Sequence, residues 1–289
     1  MIRQLLPLLS TGLLACATSG SNTKPIVIGE THALTTAILG DAREINVWVP
    51  PGYEEGRPIH GTIYLLDGAL DQDFEHIAGL AHLGALSWTY ETFVVVGIQT
   101  KDRQHELTPP PEDPRFRKGF PKAGGAAEFR RFILDEVRPF VEARYRTGKR
   151  RVLVGESLAG LFVVDTFLDA PDAFDDYLAI SPSLWWDARR VAREASAKLA
   201  EHGASDRRLY IATADEGGAM KVGTDLFLAA LAETKPEGLK VTHADRAATD
   251  THATIYHGAV LDALRRLYAL PPYEGETPWW MDVDGVPGD

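Results

Sequence analysis

The chain of 289 residues holds one cysteine, Cys16, so no internal disulfide can form and stability must come from a buried apolar core. Long apolar runs are lacking too: the stretch from Leu5 to Leu14 falls short of the roughly 20 residues that a spanning helix needs. Basic charge is scarce. With 30 Lys and Arg against 41 Asp and Glu, a net charge of -11, the chain has no means of displacing counterions from a phosphate backbone, and no nucleic-acid partner is expected. The sequence contains no low-complexity tract, internal repeat or Gly-rich phosphate loop, and no His, Cys and carboxylate set has metal-ligand spacing. Neither an organic cofactor nor a metal is therefore expected. The remaining composition, 45% hydrophobic and 25% charged, is that of a globular protein with room for one large α/β domain.

At the N-terminus, Arg3 precedes the apolar run as in a signal peptide. Its end, Leu13-Leu14-Ala15-Cys16, resembles a bacterial lipobox. The expectation is a signal peptide over 1–15, lipidation of Cys16, a small polar tether over 16–24 and a folded domain over 25–289. The protein would then be held at the bacterial cell envelope, periplasmic or outer-membrane, only through the lipid at Cys16. An ordinary secretory signal would instead release a soluble product.

Within the domain, strand-like and helix-like patterns alternate. Ile45 to Val49, Thr62 to Leu66, Phe93 to Ile98, Arg151 to Val154, Tyr177 to Ile180, Leu209 to Ala214 and Leu239 to Ala244 read as strands, being short, apolar and rich in β-branched residues. Ala126 to Tyr145, Leu158 to Leu168, Ala188 to His202, Asp225 to Glu233 and Gly258 to Tyr268 read as helices, with apolar residues three and four apart. Such alternation predicts a mostly parallel sheet with helices covering both faces, and no insertion is long or apolar enough to suggest a large lid.

One junction carries chemistry. Val152-Leu153-Val154-Gly155-Glu156-Ser157-Leu158-Ala159-Gly160 runs a strand into a helix through a serine flanked by small residues, as a nucleophile elbow requires. Ala159 stands where the motif G-x-S-x-G has its second glycine. A serine here can also merely cap the helix. As a nucleophile Ser157 needs a base, and in this fold the base follows the last strand. His252 and His257 both lie there; His252, in a polar loop, is the candidate, while His257 abuts the last helix. The acid that orients the imidazole is expected after the strand Leu209 to Ala214, at Glu216, with Asp215 and Asp250 as alternatives. Oxyanion donors are expected at the backbone of Leu158 and of Gly68 or Ala69.

Several further blocks share a pattern: Tyr64-Leu65-Leu66-Asp67-Gly68, Val95-Val96-Gly97-Ile98, Arg103 with Glu106-Leu107-Thr108-Pro109, Gly124-Gly125-Ala126, and Ile180-Ser181-Pro182-Ser183-Leu184-Trp185-Trp186-Asp187. With the elbow, this set resembles the esterase family that includes esterase D and the enterochelin (siderophore) esterases, over about residues 30 to 270. The resemblance implies the α/β-hydrolase fold and hydrolysis of a small-molecule carboxylic ester through an acyl-enzyme. It favours His252, since the family's histidine lies in a segment similar to Asp250-Thr251-His252. Family members usually carry His at the position of Glu156 and Gly at that of Ala159, and siderophore esterases can work with a weak or missing acid, so the identity of the acid stays open.

For substrate, Trp185 and Trp186 follow a strand at the carboxyl end of the sheet, where ligands bind in open α/β folds, and can stack a flat acyl or catechol group. Arg103 can pair with an anionic oxygen, or simply with Glu106. Aromatic acyl or siderophore trilactone esters are the expected substrates. The alternatives are a general short-chain acyl esterase and a non-catalytic binding protein of the same fold.

Overall fold

In the computed structural model, which describes residues 23–272 and residue 275, the strand patterns assemble into one eight-stranded sheet. The segment 1–15, Cys16, most of the tether and the C-terminal end of the 25–289 domain lie outside the described residues. The strands are β1 (Glu30–Thr35), β2 (Ala42–Trp48), β3 (Gly61–Leu65), β4 (Phe93–Ile98), β5 (Arg150–Glu156), β6 (Asp176–Ile180), β7 (Arg208–Thr213) and β8 (Lys240–Asp245). Their spatial order is β1-β2-β4-β3-β5-β6-β7-β8. β1 and β2 pair antiparallel, as do β2 and β4, and all the other pairs are parallel. This is the α/β-hydrolase sheet.

Side chains alternate across that sheet, so each strand feeds two cores. Tyr64, Leu153 and Tyr177 enter one, with Phe129, Phe132, Phe162, Phe167 and Phe227. Ile63, Val152, Val154 and Leu178 enter the other, with Phe74, Ile77, Val260 and Leu264. The helices that cover the first face are α4 (Ala126–Phe132), α5 (Arg138–Glu142), α6 (Leu158–Asp169), α7 (Trp186–Ala200) and α8 (Gly218–Thr234); α1 (Phe74–Ser87) and α9 (Ile255–Leu267) cover the second. A π-helical turn, Ile133–Val137, joins α4 to α5, and the short helices α2 (Arg103–Glu106) and α3 (Pro114–Gly119) sit between β4 and α4.

Most predicted elements are present within a few residues of their expected bounds, while β1, α1 and the short α2 and α3 are additional and α8 is longer than expected. β1 is a largely exposed edge strand, so no apolar alternation marks it. α1 contains Gly79 and Gly84, which weaken its helical pattern. Gly84 is required by packing, because a Cβ there would stand 2.1 Å from the Tyr90 ring. α8 begins at Gly218, two residues after Glu216 and seven ahead of the predicted Asp225.

Parallel register brings the carboxyl ends of the central strands level. Glu156 of β5 pairs with Ile180 of β6, and Thr213 of β7 with Asp245 of β8. The loops that follow, carrying Ser157, Ser181, Glu216 and His252, therefore open on the same edge of the sheet.

Candidate active site

Ser157 has φ 60° and ψ -116°, a conformation that costs a non-glycine residue about 1–3 kcal/mol and persists only where the surroundings impose it. They do so here. Its amide donates to Ile180 O at 3.0 Å, and its carbonyl accepts from Leu161 N and Ser183 N, each at 2.9 Å. A Cβ on Gly155 would lie 2.6 Å from the Ala159 carbonyl carbon, and one on Gly160 would lie 2.9 Å from Ile180 O. Because residue 155 has no side chain, the methyl of Ala159 is accommodated. The serine makes no capping bond to its helix, which leaves Oγ available for chemistry.

His252 is brought in by the loop after β8. Arg246 N donates to Thr213 O at 2.8 Å, and Asp215 N donates to Asp250 O at 2.9 Å, which ties this loop to the one carrying Glu216. His252 Nε2 lies 3.0 Å from Ser157 Oγ. On the other side of the ring, Nδ1 meets Glu216 Oε1 at 3.1 Å and Ser181 Oγ at 2.5 Å. Glu216 is nearly buried, its side chain 5% exposed. The bond to Glu216 is the main reason the imidazole is held above the ordinary histidine range; partial burial opposes it, and the nearby Glu156 charge adds to it. Glu156 itself is pushed up, chiefly by burial.

The alternatives are engaged elsewhere. Asp250 bonds Arg246 Nε at 2.9 Å, Asp215 is exposed, and His257 packs its ring against His76. Ser181 and Ser183 were not singled out as site residues by the sequence reading. Ser183 Oγ lies 3.3 Å from Ser157 Oγ. The available signal was two hydroxyl residues directly beyond a strand end.

The oxyanion and substrate expectations need corrections. Leu158 opens α6, where amides have no partner within the helix. Gly68 is not free to serve: its amide donates to Ile98 O at 2.9 Å. Its smallness is used instead to let the loop touch β4, since a Cβ would lie 2.3 Å from Gly97 Cα. Ala69 N donates to Gln72 Oε1 at 3.0 Å, and the Gln72 amide in turn donates to Thr100 O at 2.8 Å. Arg103 pairs with Asp67 at 3.0 Å rather than with Glu106, because Glu106 is bonded to the buried Arg43 at 2.6 Å. Burial raises the Asp67 carboxyl, and Arg103 opposes that shift.

The two tryptophans part ways. Trp186 is 1% exposed, donates its indole N–H to Pro109 O at 3.1 Å and packs between Phe116 and Phe120. It is a core residue and cannot stack a substrate. Trp185, half-buried, lines a cleft of about 620 Å³ with Phe116, Phe120, Arg115, Arg189 and Met220. Asp187, Ala188 and Arg189 take left-handed backbone angles there. The buried Asp187 carboxylate pins the turn by accepting from Glu112 N and Asp113 N at 2.9 Å and from Arg190 Nε at 2.6 Å.

Residues 36–258 match the family model described as "Putative esterase". The chain belongs to this esterase family. A relative from Emericella nidulans described as "Siderophore enterobactin esterase" is 36% identical over 51% of this chain and 54% of its own. One from Bacillus subtilis described as "Ferri-bacillibactin esterase BesA" is 39% identical over 32% of this chain and 36% of its own. The esterase thus spans about half the length of the first of these curated relatives and about a third of the second. Among solved structures, an IroE-like serine hydrolase from Shewanella oneidensis superposes with a TM-score of 0.73 at 27% identity, covering 83% of this chain and 80% of that one.

Proposed function

We propose that the protein is a serine esterase that cleaves siderophore or aromatic acyl esters through an acyl-enzyme, with Ser157 as nucleophile, His252 as base and Glu216 as the acid orienting it. The observation that carries this reading is the chain of contacts Ser157 Oγ to His252 Nε2 at 3.0 Å and His252 Nδ1 to Glu216 Oε1 at 3.1 Å, built on a strained elbow that a mere helix cap does not need. His252 Nε2 accepts the serine proton as Oγ attacks the ester carbonyl, and Glu216 stabilises the imidazolium. The Leu158 amide, with Ala69 once Gln72 is displaced, faces the developing oxyanion. The imidazolium then protonates the departing alkoxide, and a water activated by the same ring hydrolyses the acyl-enzyme.

The siderophore element of the proposal is supported by the printed descriptions of the relatives and by the cleft. Phe116, Phe120 and Trp185 offer aromatic faces there, while Arg115 and Arg189 offer cationic donors, a pairing suited to flat, oxygen-rich acyl groups. The test is a hydrolysis panel of short, long and aromatic acyl esters and a cyclic catecholate trilactone, with fluorophosphonate labelling. Wild type should cleave the aromatic and catecholate esters preferentially and be labelled at Ser157, whereas Ser157→Ala should do neither. Preference for acetate and butyrate would leave a general short-chain esterase, and absence of labelling would leave a binding protein. We also propose lipid anchoring at Cys16, supported by the sequence Leu13-Leu14-Ala15-Cys16. Globomycin, or Cys16→Ser, should then leave an unprocessed precursor; normal processing would indicate a plain secretory signal.

A further inference from the structure

On the face of the sheet covered by α1 and α9, three side chains 184 positions apart at their extremes come together. Asp73 precedes α1, His76 is the third residue of α1, and His257 is the third residue of α9. One ligating atom from each, a carboxylate oxygen and two imidazole nitrogens, lies within 4.8 Å of the others. The two imidazole rings meet at right angles with centroids 4.6 Å apart. His76 Nδ1 stands 3.8 Å from Asp73 Oδ1, too far for a hydrogen bond.

What these groups do not do is informative. Aspartate at a helix N-cap normally accepts from the amides of the first turn, yet Asp73 makes no such bond, and its carboxylate faces the two rings instead. Among the described residues, neither imidazole forms a side-chain hydrogen bond.

We infer that Asp73, His76 and His257 form a binding site for one divalent transition-metal ion of the zinc class, separate from Ser157, His252 and Glu216. Two imidazoles and one carboxylate suit zinc, nickel, copper or ferrous iron, and disfavour calcium or magnesium, which prefer oxygen alone. A tetrahedral ion with bonds of about 2.0–2.1 Å separates its ligand atoms by about 3.3 Å, so the ligand atoms, within 4.8 Å of one another, need approach by at most about 1.5 Å. His76 is 56% exposed and Asp73 31%, which leaves them free to turn. Three protein ligands leave a coordination position open to water or another oxygen donor. Because His257 lies five residues beyond His252, the ion would fasten α1 to the helix that ends the base's loop.

The test uses the full, tag-free chain titrated with zinc by calorimetry, with Co²⁺ as a visible-absorption probe. Wild type should bind one equivalent of zinc and give Co²⁺ ligand-field bands in the visible. His76→Ala, His257→Ala and Asp73→Asn should each weaken binding by about 100-fold or more, since even losing an outer partner of a metal ligand costs 10- to 100-fold. Fluorophosphonate labelling of Ser157 should persist in these variants, which checks that they fold. His252→Ala should bind zinc as wild type does. Failure of wild type to bind stoichiometrically, binding that survives His76→Ala together with His257→Ala, or loss of binding in His252→Ala would each overturn the assignment.

Discussion

Removing the carboxylate beside His252 should reveal that the imidazole has two supports. Nδ1 faces Glu216 Oε1 at 3.1 Å and Ser181 Oγ at 2.5 Å, so Glu216→Ala deletes the charge while the serine hydroxyl still accepts the Nδ1 proton and keeps the ring in the tautomer that presents Nε2 to Ser157. The loss is then that of one charge-assisted hydrogen bond, about 1.5–3 kcal/mol, or roughly 10- to 150-fold in kcat at 1.36 kcal/mol per decade. Ser181→Ala alone should lose less, about tenfold or under, because the carboxylate remains. The double variant leaves Nδ1 without an acceptor, and loss of tautomer control in serine hydrolases costs about 10⁴. The double loss should therefore exceed the product of the single losses. Steady-state hydrolysis of a chromogenic ester, with a pH profile, reads the outcome. Since the Glu216 bond is the largest influence raising His252, the acid limb of kcat/KM should also move to lower pH in Glu216→Ala. A single Glu216→Ala loss as large as that of His252→Ala, or purely multiplicative losses in the double variant, would refute the two-support reasoning.

His252→Ala itself should lower kcat by about 10³ or more, leaving a residue of activity from binding and the oxyanion donors. Glu156→Gln removes a second charge that raises His252, so the acid limb of its pH profile should shift downward while kcat near neutrality holds; an unmoved limb would show that Glu156 does not reach the ring. The tryptophans should separate by assay. Trp186→Ala should lower stability by about 3–5 kcal/mol in a denaturant titration, whereas Trp185→Ala should raise KM for an aromatic ester more than for acetate and cost less stability than Trp186→Ala. Asp165, buried in α6, has its carboxyl pushed up to about 6 by burial. The folded protein therefore holds a proton on it that the unfolded chain releases near 3.8, so its contribution to stability is present below about 3.8 and is lost as pH rises through 6. That amounts to about 3 kcal/mol, and Asp165→Asn should lack this slope in urea melts between pH 4 and 7.

Where the sequence was legible, the information was local. The elbow could be read because its steric demands fall on neighbours: Gly155 and Ala159 must be small to let Ser157 take its strained backbone, and small residues at fixed offsets are visible in one dimension. His252 and Glu216 could be read because each follows a strand, and strands announce themselves by short β-branched runs. What could not be read depended on a partner far along the chain. The Gly68 amide looked available until β4 supplied Ile98 O as its acceptor. Two adjacent tryptophans looked equivalent until the backbone turned left-handed at Asp187, sending Trp186 between Phe116 and Phe120 and leaving Trp185 on the cleft. The cluster of Asp73, His76 and His257 has no spacing signature at all, because its ligands come from two helices brought together only when both cover the same face of the sheet. Chemistry confined to one strand-loop-helix junction therefore survives projection onto the sequence. Chemistry shared between elements that meet only by packing does not, and it is there that His76→Ala and Trp185→Ala probe what only the fold discloses.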